Sequence, residues 1–70
     1  MTPIEIGRVQ AHLRKALDNN RIAIKMPARK GGPVEVVVGN DFLGVLHRDE
    51  DEGEVSFDLH ISILEEDLRE

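Results

Sequence analysis

From Arg21 onward the apolar residues fall on every second position, whereas before Asn20 they recur with a helical period. This change of rhythm is the strongest constraint on what the chain folds into. Val55, Phe57, Leu59, Ile61 and Ile63 alternate with Glu54, Ser56, Asp58, His60 and Ser62, the cleanest two-residue pattern present. Ile22, Ile24 and Met26 alternate in the same way, as do Val34, Val36 and Val38. Pro27 to Pro33 reads as a loop, Gly39-Asn40-Asp41 as a turn, and Phe42 to Arg48 as a third strand. Upstream, Ile6, Val9, Leu13, Ala16 and Leu17 form a one-sided helical stripe. Thr2-Pro3-Ile4-Glu5 has the pattern of a capping box with proline in the first turn, and Asp18-Asn19-Asn20 tolerates a left-handed stop. The expected helix covers residues 3–18.

Turn lengths convert these strands into a register. A two-residue turn at Asn40-Asp41 sets Val38 opposite Leu43 and Val36 opposite Val45. A five-residue loop from Asp49 to Gly53 sets Arg48 opposite Glu54, Val45 opposite Phe57 and Leu43 opposite Leu59. Pairing the first two strands sets Ile24 opposite Val36 and Lys25 opposite Glu35. One face then carries Ile22, Ile24, Met26, Val34, Val36, Val38, Leu43, Val45, Val55, Phe57, Leu59 and Ile61, and the helix stripe is the long apolar surface available to cover it. The expected fold is therefore a single α+β domain over residues 1–70. Its N-terminal helix packs on one face of a four-stranded antiparallel meander sheet (α-β-β-β-β), with Leu64 and Leu68 in a short C-terminal helical turn. The opposite face presents Ala23, Val37, Phe42, Gly44 and Leu46, which the tail or a second copy of the chain would cover.

Size and composition narrow the function. A 70-residue chain buries only about 60% of its unfolded surface. It has no cysteine, which excludes disulfides and thiolate zinc sites. It has no apolar run of membrane-spanning or signal-peptide length, so a soluble cytoplasmic protein with no membrane partner is expected. Two phenylalanines and no Trp or Tyr leave little for stacking on bases. The net charge of −5 is unevenly spread: residues 1–32 carry seven Lys/Arg against two acids, and residues 33–70 carry two against twelve.

Four consecutive acids, Asp49, Glu50, Asp51 and Glu52, precede Gly53. As a calcium loop counted from Asp49, position 5 is Gly53 and position 12 is His60, so the liganding pattern fails and no metal or cofactor is expected. A solvated hairpin tip is the simpler reading, with a docking site for a basic partner as the functional one. His12, His47 and His60 show no ligand spacing; His47 is expected at the rim of the helix-covered face, near Val34 and Val55, and His60 outward. Asp58 and His60 sit at i, i+2 like an acid/base pair, but Ser56 and Ser62 share their exposed face and no nucleophilic Cys is present, so no enzyme is expected. Arg29-Lys30-Gly31-Gly32 has its lysine before the glycines and a strand after them, unlike a phosphate-binding loop.

The segment GNDFLGVLHRDEDEGEVSFDL, with the opening TPIEI and the closing ILEEDL, resembles a family of short alphaproteobacterial proteins catalogued as a domain of unknown function. Its most specific part is Phe42 to Glu54. The resemblance implies a stand-alone bacterial cytoplasmic protein and carries no activity, cofactor or catalytic residue. The function expected from the residues is a non-enzymatic protein-interaction module, with self-association or an unknown protein as partner. Two surfaces are singled out: Val37, Phe42 and Leu46 on the outer sheet face, and Asp49, Glu50, Asp51 and Glu52 at the tip. The alternative is a nucleic-acid-binding module using Arg8, Arg14, Lys15, Arg21, Lys25, Arg29 and Lys30, disfavoured by the acidic total.

Overall fold

The computed structural model describes residues 1–68. Helix α1 (Pro3–Ala16) is followed by strands β1 (Ile22–Lys25), β2 (Val34–Val38), β3 (Asp41–Asp51) and β4 (Glu54–His60), and by a 3-10 turn, Glu65–Leu68. The strands form one antiparallel sheet in the order β1-β2-β3-β4. This is the expected meander with one helix.

The helix begins as its sequence dictates. Glu5 N–H donates to Thr2 Oγ1 at 3.1 Å and Thr2 N–H donates to Glu5 Oε1 at 3.0 Å, so two otherwise orphaned donors are satisfied reciprocally. It ends two residues earlier than expected, with Leu17 as its cap and Asp18 in the left-handed region at φ 50°. Leu17 therefore leaves the apolar stripe and is exposed.

Both hairpin turns span two residues. In the first, Gly39 has φ 63° while Asn40 stays at negative φ, a type II′ pattern. In the second, Glu52 and Gly53 have φ 51° and 81°, a type I′ pattern. Turns of these types twist in the same sense as the strands they join.

The pairing of β1 with β2 is as expected, with Ile24 opposite Val36 and Lys25 opposite Glu35. The other two registers differ. The first turn lies at Gly39-Asn40, so Val38 faces Asp41, and Leu43 is the extra residue of a bulge that sets Val36 opposite Gly44. The second loop is not five residues long. β3 continues through Asp49, Glu50 and Asp51, and Val45 faces His60, Leu46 faces Leu59 and Arg48 faces Phe57. That is a shift of three residues, and an odd shift reverses which side of β3 faces the helix. Leu46 thus lies beneath the helix and is only 3% exposed, while Val45 and His47 turn outward. The acids misled because a charged run reads as a loop. A ladder that projects past the core needs only backbone partners, and all four acids are exposed on it. The hairpin makes the molecule long, 45 × 25 × 23 Å.

Ile22, Val36 and Leu46 form the buried centre, packed by Val9 and Leu13 from the helix and by Ile24, Leu43, Phe57 and Leu59 from the sheet. Met26 falls beyond β1 and is exposed. Truncation distinguishes the two orientations of β3. Leu46→Ala is expected to cost about 2–5 kcal/mol in urea unfolding, the range for a buried leucine, whereas an outward Leu46 would cost about 0.5 kcal/mol or less.

Candidate protein-interaction surface

The position of α1 follows from two hydrogen bonds to the edge of β1. Ile24 N–H donates to Gln10 Oε1 at 3.1 Å, and Arg14 Nε donates to the Ile22 carbonyl at 2.7 Å. Gln10 and Arg14 are four residues apart and so share one side of the helix. The short connection from Leu17 to Arg21 keeps the helix beside the strand it leads into. At the other end Arg48 Nε, on β3, donates to Glu5 Oε2 at 2.9 Å. Gln10 was not singled out from the sequence. Its only signal there is a polar i, i+4 pair bordering the apolar stripe.

Held this way, the helix lies over the β1 side and leaves β4 open. Between α1 and β4 runs a groove of about 800 Å³ whose floor is Val9, Leu13, Leu46, Phe57 and Leu59, with Arg8 and His12 on the helix rim. Val55 also lines it and is 44% exposed. Among the described residues, no side chain hydrogen-bonds to the outward backbone groups of β4, in contrast to β1.

The outer sheet patch is smaller than expected. Leu46 is on the opposite side, and Val37 is buried between its cross-strand neighbours Ala23 and Phe42. Phe42 alone of the three stays open, 61% exposed. Among the described residues the tail does not cover it: Leu64 and Leu68 are themselves exposed.

The acidic run does not form one tip. Asp49 and Asp51 face outward with Glu54 and Asp58, giving a one-sided acidic ribbon; Glu50 faces inward, where its Oε2 accepts from Arg48 at 3.2 Å; Glu52 occupies the turn. His47 is on the outer face, not at the rim of the inner one. It meets His60 edge-on, ring centroids 5.2 Å apart, with Asp58 directly across from it. Among the described residues no three His, Asp or Glu side chains converge as a metal-holding group.

The basic residues are dispersed. Arg14 is engaged with β1, Arg8 borders the groove, Lys25 faces outward opposite Glu35, and the Arg21 guanidinium packs where a side chain at Gly39 would collide with it. Lys15, Arg29 and Lys30 are exposed elsewhere, on the helix and the β1–β2 loop.

The family described as "Protein of unknown function (DUF3126)" matches residues 5–67. No curated protein and no solved structure matches the chain. Among the described residues no helix is long and apolar enough to cross a membrane.

Glu5 joins the helix cap to β3, and its carboxyl is held below the usual carboxylate range, first by the Thr2 backbone N–H and then by the Arg48 guanidinium. A depressed folded-state pKa stabilises the fold at pH values above the ordinary carboxylate range, and the effect disappears as pH falls through the depressed value. Glu5→Gln keeps a capping amide but loses the charge. It should melt below the wild type near neutral pH, and the gap should close as the pH falls below the ordinary carboxylate range and through the depressed value, in a thermal unfolding series followed by circular dichroism.

Proposed function

This chain belongs to the family described as "Protein of unknown function (DUF3126)", and from that premise we propose that it is a non-enzymatic protein-interaction module of the bacterial cytoplasm whose contact surface is the open β4 side of the sheet. One observation carries this reading. The helix covers only part of the apolar sheet face, and the groove beside β4 leaves Phe57 and Leu59 half-buried and Val55 exposed. A domain this small has little apolar surface to leave unused, and a contiguous apolar groove with a polar rim is the usual form of a docking site. The titratable groups that could act as acid and base, Asp58 and His60, lie on the open outer face, away from the groove. The acidic ribbon of Asp49, Asp51, Glu54 and Asp58 contributes long-range steering toward basic surfaces and little binding energy of its own.

The test is retention of a protein on the immobilised full chain, compared with Val55→Asp. That position is exposed, so the variant keeps the fold. The expected result is a bound protein, this chain itself or another, that survives nuclease treatment and is lost with Val55→Asp. Equal retention by both forms, or retention abolished by nuclease, would overturn the reading.

A further inference from the structure

The two edges of this sheet are treated differently. Two outward backbone groups of β1, the Ile22 carbonyl and the Ile24 N–H, are taken by Arg14 and Gln10. Among the described residues, no side chain hydrogen-bonds to those of β4, a strand of seven residues. The two-residue turn makes Asp51 and Glu54 a hydrogen-bonded pair, and the pattern alternates from there. The backbone of Glu54, Ser56, Asp58 and His60 therefore points at β3, and that of Val55, Phe57 and Leu59 points away from the sheet. An unprotected edge of this kind is a template for another strand.

The sequence of this edge is complementary to itself. Laid antiparallel on a second copy about a two-fold axis at Phe57, it sets Phe57 opposite Phe57, Val55 opposite Leu59, Ser56 opposite Asp58 and Glu54 opposite His60. Apolar side chains then meet apolar ones on the inner face. On the outer face a hydroxyl meets a carboxylate and a carboxylate meets an imidazole. Outward backbone groups meet outward groups, giving about six inter-strand hydrogen bonds.

Neighbouring registers lose this match. An axis at Asp58 sets two carboxylates face to face at the closer, non-hydrogen-bonded spacing. An axis at Ser56 sets Glu54 against Asp58. An axis between residues sets Ser56 against Phe57 and mixes the two faces. An axis at Leu59 needs Ile61 and Ile63 in line with the strand. β4, however, ends at His60, whose carbonyl lies so close over Gly44 that any side chain there would strike it.

Resting on the interaction reading above, we propose that the partner at β4 is a second copy of this chain, added edge to edge in antiparallel register with Phe57 on the two-fold axis. The product is an eight-stranded sheet with both helices on one face. The two apolar grooves join across the axis, and the acidic turns lie at opposite ends, where they do not repel each other.

Two experiments on the full chain test it. Sedimentation equilibrium should give a dimer with a Kd at or below about 100 μM. His60→Glu, which sets acid against acid at two symmetric places, should weaken it about tenfold, and adding Glu54→Lys should restore it. Neither position contributes to the core. Because the chain has no cysteine, single substitutions report the register directly. Phe57→Cys should form a covalent dimer under mild oxidation, with its Cα about 5.5 Å from its mate. Val55→Cys and Leu59→Cys, each about 14 Å from its own mate, should not. A strict monomer, a dimer indifferent to His60→Glu, or faster cross-linking at Leu59→Cys would overturn the proposal. A monomer that still retains another protein in a Val55-dependent way would sink self-pairing and leave the interaction reading standing.

Discussion

The hydrogen bonds from α1 to the edge of β1 decide what the rest of the molecule can do. Ile24 N–H and the Ile22 carbonyl are backbone groups that an edge strand otherwise leaves to water or to another chain. Gln10 and Arg14 take both. In doing so they fix the helix toward one side of the sheet, where Val9 and Leu13 reach the Ile22–Val36–Leu46 centre. A 14-residue helix placed there cannot also cover β4. The closed edge and the open groove are thus two results of one placement.

The β3–β4 hairpin supplies the other half of the asymmetry. Its type I′ turn at Glu52-Gly53 sets the register by backbone geometry alone, independently of any apolar contact. The register carries Leu46 and Phe57 inward and gathers Asp49, Asp51, Glu54 and Asp58 on the outside. Arg48 is the point where hairpin and helix meet. Its guanidinium joins Glu5, itself part of the helix cap, to Glu50 on its own strand. The N-terminus of the helix and the emergence of the hairpin are therefore coupled through a single side chain.

The interaction reading grows from this arrangement more than from any single residue. Charge on the outer ribbon, apolar surface on the inner face and outward backbone along β4 are three different kinds of attraction, and all meet along the β4 side of the sheet. In sheet proteins such a strand is usually short, bulged or covered. This one is seven residues long, and no side chain among the described residues caps its outward backbone.

The sequence by itself determined the element types, their order, the helix cap and the pairing of β1 with β2. Each rests on local chemistry: the Thr2-Glu5 exchange, the 3.6- and 2-residue periods, and a loop rich in proline and glycine. It also placed Val55, Phe57 and Leu59 on the inner face, because alternation within a strand survives any error of register. The side of β3 was not legible. Two residues of turn against five, and one bulge residue at Leu43, differ in no local property of the strand, yet they exchange Leu46 with Val45 and dissolve the expected outer patch. Gln10 was not legible either, because its partner is a backbone N–H fourteen residues away that becomes an edge only once the sheet exists. The tertiary structure alone decided which edge was closed, since a helix of fixed length and a short connection to β1 could shield only one.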